Sequence, residues 1–431
     1  MQRGPNPAKT GRAKIAVVLI SALALLLVPG AVPGGAAGAQ TETTERTAPE
    51  GAAAGKATRG RSGAQVPSPP EVGAQAWGLF DADSGLYLAG ENPDDELPIG
   101  SVTKIMTALV VLDEGTDLDE EVPISDEAES YVGNVYSNVG LISGERVTVR
   151  DLLAATLIPS GTDAAYALAE HVGGGSVGNF VEMMNDKAAS LGLEETNFET
   201  PAGLDTSNSY SSARDLAVLT RAALQYPLFA EIVGTKDATI STQNREIETH
   251  NTNQLLTAYP PATGVKTGTT PQAGANLVAS AEANDESYIS IVLGADDSDE
   301  RFRASEALLE YAFGAYDREP LVSQGEVYGE APLPYRPDET VELAAEDDVL
   351  GVVNAASDVE RRVTTQDVLP PSASAGEELG EVEVFVDGQR VGESPLVAQE
   401  GYEEASLWDK ISYGAGWLVE KARGAVAGLL G

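Results

Sequence analysis

Leu97-Pro98-Ile99-Gly100-Ser101-Val102-Thr103-Lys104-Ile105-Met106-Thr107 sets a serine three residues ahead of a lysine at the head of an apolar run. Pro98 and Gly100 end what precedes, and Lys104 through Glu114 reads as a helix closed by Gly115. Residues three apart share a helix face, so the Ser101 hydroxyl and the Lys104 amine fall within hydrogen-bond reach. A serine hydroxyl is a poor nucleophile until a base takes its proton. An ammonium serves only if burial or another cation lowers its pKa. The helix N-terminus adds free N–H groups and a positive dipole end, which suit an oxyanion. The same residues also fit a bland reading, a helix-capping Ser with a surface Lys. Roughly one Ser-x-x-Lys arises by chance in a chain this rich in Ser. Its partners decide.

Two further motifs stand where the first needs them. Ser160-Gly161-Thr162 falls in the short break between two helical segments, a position that projects a hydroxyl into a cleft. Thr263-Gly264 and Lys266-Thr267-Gly268 precede an apolar strand. An edge strand pairs with an extended peptide, and a glycine in it lets two backbones approach. Lys266 offers a point charge for a carboxylate, with the Thr267 and Thr269 hydroxyls beside it. Each alone fits a surface turn. Together, in the order S-x-x-K, S-x-T, K-T-G on helix, loop and strand, they describe one site.

Here the sequence resembles the D-alanyl-D-alanine carboxypeptidases, the low-molecular-mass penicillin-binding proteins. The likeness rests on Ser101 to Thr107, on Ser160-Gly161-Thr162-Asp163-Ala164 and on the long run Lys266 to Ala281. Gly203-Leu204-Asp205, Ser212-Ala213-Arg214-Asp215 and His250-Asn251-Thr252-Asn253 resemble the family too. It covers roughly residues 72 to 402. The resemblance implies an α/β (α+β) catalytic domain of the β-lactamase/transpeptidase type over residues 72–316, followed by a small all-β domain over 317–402. It implies removal of the terminal D-alanine from peptidoglycan stem peptides ending in D-Ala-D-Ala, and covalent inhibition by β-lactam antibiotics. Ser101 would be the nucleophile, Lys104 its base, and Ser160 a proton shuttle to the leaving amine. Lys266 and Thr267 would bind the terminal carboxylate, with Arg301 as the family's further arginine (Arg303 being close by). Backbone N–H groups of Ser101 and Thr269 would form the oxyanion hole. No metal or cofactor is implied. The family's second motif usually ends in Asn; Thr162 stands there, with a shorter reach and no carboxamide fork.

The rest of the chain reads outward from this core. Arg3, Lys9, Arg12 and Lys14 precede the apolar run Ile15–Val28, and Ala37-Gly38-Ala39 is a small-residue cleavage site. Residues 1–39 read as a secretory signal peptide. Residues 40–71, rich in Thr, Ala, Gly, Ser and Pro without periodicity, read as a disordered tether. Trp77 to Ala89 carries a hairpin signature, and Thr148 with Asp151 is spaced to cap a helix. Further helices are expected over Asp163–His171, Phe180–Leu191, Ser212–Leu224 and Phe302–Phe313. Strands are expected over Ala275–Ala281 and Tyr288–Leu293, joined through Asn284-Asp285-Glu286. A sheet closed by both ends of the domain follows from that order. Residues 406–431 place Trp408, Ile411, Ala415, Leu418, Ala422, Val426 and Leu429 along one side, with charges interspersed. The charges argue against a span, and two readings compete: an interfacial membrane anchor, which Trp408 and Trp417 favour, and a helix packed on the domain.

Composition bounds the function classes. The 431-residue chain has a hydrophobic share of 42%, as globular proteins do. A net charge of −40 repels nucleic acid. With no Cys and two His far apart, His171 and His250, thiol chemistry is excluded and both histidines read as structural. The expected place of action is the outer face of the cytoplasmic membrane or the wall space. Four alternatives carry less. A class A β-lactamase needs a deacylating Glu on a separate loop, and none is identifiable. Gly174-Gly175-Ser176-Val177-Gly178 is a formal G-x-S-x-G, but a helix rather than a strand precedes it. A DD-endopeptidase shares the fold, and a non-catalytic wall binder would not need Ser101, Lys104 and Lys266.

Overall fold

The computed structural model describes residues 66–430, except 134 and 367 and the side chains of 418 and 420–430. The expected signal peptide and most of the expected tether lie outside the described residues. The catalytic half is built on a five-stranded antiparallel sheet. Its strands are β1 (Ala76–Asp81), β2 (Tyr87–Glu91), β3 (Ala262–Thr270), β4 (Gly274–Ala283) and β5 (Glu286–Ala295), in the order β2-β1-β5-β4-β3. The first and last segments of the domain therefore close one sheet, with β1 pairing β5. Asn284 and Asp285 both take positive φ, 53° and 64°, which is the tight hairpin turn joining β4 to β5.

The period-2 alternation of the strands sorts their side chains to two faces. Ala76, Phe80, Ile289, Ile291 and Leu293 face a helical layer. Trp77, Leu79, Leu277, Ala279, Tyr288 and Val292 face the other way. The helical layer holds α1 (Lys104–Asp113), α2 (Val149–Leu157), α3 (Thr162–Val172), α4 (Val177–Leu191) and α5 (Ala213–Leu224). Helix α1 lies at its centre with Lys104 to Val111 all buried, and its two polar members, Lys104 and Thr107, donate to the Ala202 and Pro201 carbonyls. Thr148 caps α2 as expected: its hydroxyl accepts the Asp151 N–H at 3.1 Å and donates to the Asp151 carboxylate at 2.8 Å. Ser176 likewise caps α4, accepting the Asn179 N–H at 3.2 Å. The formal G-x-S-x-G is thus a break between two helices.

Helix α6 (Ser298–Ala315) covers the second face. Its Leu308, Leu309 and Ala312 belong to an apolar cluster that runs on into Leu321, Val322, Val341, Leu343 and Val352 of the next domain. That domain is all β. Strands β6 (Asp317–Val322) and β9 (Val349–Val353) pair, and β7 (Val327–Leu333), β8 (Arg336–Ala345), β10 (Val359–Thr365), β11 (Glu378–Val386) and β12 (Gln389–Ala398) form a sheet in the order β7-β8-β12-β11-β10. In β11 the alternation is explicit: Val382, Val384 and Val386 are buried, while Glu381, Glu383 and Phe385 are more exposed. The Gln389 side chain bonds both backbone groups of Tyr87, each at 3.0 Å, tying the β domain to the catalytic sheet.

Helix α7 (Leu407–Leu430) ends the described chain. Trp408 and Ile411 are 76% and 53% exposed, so its first half presents apolar surface rather than burying it. Near its start Tyr413 meets Tyr335 edge-on, with ring centres 5.7 Å apart. Among the described residues no single helix is long and apolar enough to cross a membrane.

Candidate active site

Ser101 rides on a single 3-10 turn, Gly100–Thr103, that leads directly into α1. Lys104, the first residue of α1, is fully buried, and its Nζ donates to Ser101 Oγ at 2.9 Å and to the Ala202 carbonyl at 2.9 Å. Burial pushes its pKa down to about 7, against a smaller opposing pull from the Asp163 carboxylate. An amine with that pKa is largely neutral just above neutral pH and can accept a proton.

The second motif comes from the junction of α2 and α3. Ser160 is 3% exposed and sits at φ 67°, a left-handed conformation rare for serine. Its hydroxyl has no hydrogen-bond partner among the described residues. A buried hydroxyl left unpaired costs about 1–3 kcal/mol, and such costs persist where a reacting group will supply the partner. Gly161 permits the turn, since a Cβ there would lie 2.8 Å from the Ala155 carbonyl. Thr162 opens α3, and its N–H donates to Ser137 O at 2.8 Å. Neither hydrogen bond of Lys104 goes to Thr162; the Ala202 carbonyl takes that second bond.

The third motif lies on β3, the edge strand of the sheet. Gly268 makes the approach possible: a Cβ there would stand 2.3 Å from Ile99 O. Lys266 is 1% exposed, and burial, then the charges of Lys104 and Arg301, hold its pKa well below the ordinary lysine range. The Thr267 hydroxyl meets that of Thr252 at 2.7 Å. The Thr269 amide nitrogen lies only 3.2 Å from where a Cβ on Gly100 would be, so it borders the turn carrying Ser101. Arg301 reaches this strand from α6, its Nη1 donating to Thr269 Oγ1 at 2.7 Å and Gly268 O at 3.1 Å. Arg303 is exposed and paired with Glu300 at 2.7 Å, so Arg301 is the arginine at the site. The structure bonds Ser101 to Lys104 and Thr269 to Arg301, and sets Lys266 near enough to feel the charges of Lys104 and Arg301. Ser160 and Thr162 stay at the α2–α3 junction, which is tied to Thr267 through Thr252, whose N–H donates to Ile158 O and whose hydroxyl meets that of Thr267. His171 and His250 lie elsewhere, 3.5 Å from Glu120 and 2.6 Å from Asp237.

Other residues build the site through backbone contacts that spacing does not signal. Asp163 is fully buried, and its carboxylate accepts the N–H groups of Val139, Gly140 and Leu141, pinning that loop against the second motif. Asn276 donates to Pro98 O at 3.1 Å and accepts the Gly294 N–H at 2.6 Å, fixing the approach to Ser101. Gly203 sits at φ 73°, with a Cβ position 1.8 Å from Gly100 O that no other residue could fill.

A turn-borne serine bonded to a buried lysine, a buried unpaired serine hydroxyl and a lysine-bearing edge strand suit serine acyl-transfer chemistry. The D-alanyl-D-alanine carboxypeptidase family model matches residues 63–297, and that of the C-terminal domain of penicillin-binding protein 5 matches residues 316–404. The chain belongs to the D-alanyl-D-alanine carboxypeptidase family. D-alanyl-D-alanine carboxypeptidase DacF of Bacillus subtilis is 32% identical over 337 residues, spanning 76% of this chain and 86% of that one. Penicillin-binding protein 5 from Haemophilus influenzae superposes with a TM-score of 0.66 at 33% identity, covering 78% of this chain and 99% of that one. The Streptomyces K15 DD-transpeptidase superposes at 0.55 and 36% identity over 57% of this chain and 99% of that one. In this carboxypeptidase family member, the mixed α/β catalytic domain and the all-β domain follow one another as expected.

Proposed function

We propose that this family member is a serine D-Ala-D-Ala carboxypeptidase that trims peptidoglycan stem peptides and is acylated by β-lactams. The observation that carries it is the 2.9 Å contact between Ser101 Oγ and a fully buried Lys104 amine. Ser101 Oγ attacks the carbonyl carbon of the penultimate D-alanine while Lys104 Nζ takes its proton. Backbone N–H groups of Ser101 and Thr269 hold the oxyanion. The C–N bond then breaks, Ser160 passes a proton to the departing amine, and D-alanine leaves. Water hydrolyses the ester and restores Ser101. Lys266 and Thr267 seat the terminal carboxylate, and Arg301 holds Thr269 and adds positive field. A β-lactam follows the same first step, its opened ring remaining on Ser101. Incubation with a pentapeptide ending in D-Ala-D-Ala is expected to release free D-alanine; an intact pentapeptide would sink the proposal.

Thr162 separates this site from the family's usual pattern. Thr162→Asn would reach both Lys104 and the substrate amide, whereas Thr offers one hydroxyl with a stiff χ1. A hydrogen bond to a charged group contributes about 1.5–3 kcal/mol, so Asn is expected to speed penicillin acylation roughly ten- to a hundredfold and Val to slow it. Second-order acylation rates for the three proteins decide. An Asn variant slower than wild type would mean that the site is built around Thr.

Export through residues 1–39 and docking of α7 at the membrane surface complete the proposal. Exposed Trp408, Ile411, Tyr413 and Trp417 support the latter. A chain ending at Glu404 is expected to keep full activity on soluble peptide and lose binding to lipid vesicles. Equal partitioning of both forms would mean that α7 serves another purpose.

A further inference from the structure

Thr252 belongs to none of the three motifs, yet the structure delivers it to the third one. Its hydroxyl lies 2.7 Å from that of Thr267. Its backbone N–H donates to Ile158 O at 3.2 Å, two residues before Ser160, so Thr252 bridges the second and third motifs. Both neighbours are committed to holding the loop. Asn251 Nδ2 donates to Val233 O and Thr235 O at 3.2 and 2.9 Å, and its Oδ1 accepts the Asn253 N–H at 2.9 Å. Asn253 Oδ1 in turn accepts the Leu255 N–H at 3.1 Å. One residue of this braced loop, Thr252, is left facing the strand.

Two hydroxyls that share one hydrogen bond hold two protons and use one. Whichever donates, the pair keeps one O–H with no acceptor among the described residues. On the same strand the buried Lys266 amine donates to the Thr267 carbonyl at 3.2 Å, and two residues on, Thr269 accepts from the Arg301 guanidinium of α6 at 2.7 Å. A surplus donor on a strand that two basic side chains contact is a seat for one anionic oxygen. On the carboxypeptidase proposal, the anion available there is the C-terminal carboxylate of the leaving residue.

Resting on that proposal, we infer that Thr252 is a specificity-determining residue that reads the substrate's free terminal carboxylate through a hydroxyl pair with Thr267. Thr252→Val keeps the shape and removes one of the two protons; the lone Thr267 hydroxyl must then bind the carboxylate without its partner. Thr252→Ser keeps the hydroxyl.

The experiment compares kcat/KM on a D-Ala-D-Ala peptide with that on the same peptide ending in a carboxamide. In parallel it compares acylation by a penicillin with acylation by that penicillin's carboxyl methyl ester. The preference for the free acid is expected to fall about tenfold or more in Thr252→Val and to stay near wild type in Thr252→Ser. A preference unchanged in Val, or acid and neutral substrates slowing in parallel, overturns the inference, because a merely structural role would spare the ratio. Melting temperatures of both variants control for misfolding. If the wild type releases no D-alanine, the carboxypeptidase proposal fails, and the penicillin pair still reads Thr252.

Discussion

Ser101→Ala is expected to give a protein that no fluorescent penicillin labels and that releases no D-alanine, while unfolding at nearly the wild-type temperature. The two expectations have separate causes. On the proposed mechanism the acyl bond forms at Ser101 Oγ, which is bonded to the Lys104 amine, whereas Ser160 Oγ has no hydrogen-bond partner among the described residues. Removing a serine-peptidase nucleophile costs on the order of 10⁶ in kcat. Stability changes little because Ser101 is only half-buried and gives up one side-chain hydrogen bond, about 1 kcal/mol, which moves a domain of this size by roughly 2–4 °C. Labelling that survives in the variant would remove Ser101 from the mechanism. Loss of labelling together with a collapsed transition would show a folding defect instead, and Ser101→Cys would then give the discriminating comparison.

What the sequence made legible follows the range of the interaction. Helix α1 could be read because its apolar run and closing Gly115 are local. The turn at Asn284-Asp285 could be read for the same reason, as could the Val382, Val384, Val386 alternation. The Ser101–Lys104 pair was legible because three residues of helix bring the two side chains together without help. Asp163, Asn276 and Gly203 contribute through backbone groups far away in sequence, Val139 to Leu141, Pro98 and Gly100. No spacing rule announces such contacts. The hairpin Asp237–Ser241 with Glu246–His250 and the helix Pro227–Gly234 were not anticipated either. The hairpin strands are short and mostly exposed, burying Ile240 and Thr249 while Glu246 and Glu248 face outward. Tertiary position rather than local pattern makes them strands.

The second large effect concerns Lys104. If its amine is the base, the second-order rate of penicillin acylation should rise with pH through about 7 and level off above, because the amine works only once it has lost its proton. Lys104→Arg should be inactive across the range, since a guanidinium keeps its proton at every accessible pH. The same burial has a consequence for stability. Lys104 binds its proton less readily in the folded protein than in the unfolded chain, whose lysine titrates near 10.4. Between those two pKa values the unfolded state holds more protons, so this group makes stability rise with pH across that window. Its destabilising effect is fully developed below about pH 7 and gone above the unfolded pKa. Lys104→Met removes the titration. The stability of Met relative to wild type should therefore climb as pH is lowered from about 10 to about 7, and flatten below. Urea midpoints at several pH values test this without any substrate. A pH-independent difference would mean that the lysine stays charged in the fold. The acylation rate would then be flat through pH 7 as well, and some other group would have to take the Ser101 proton.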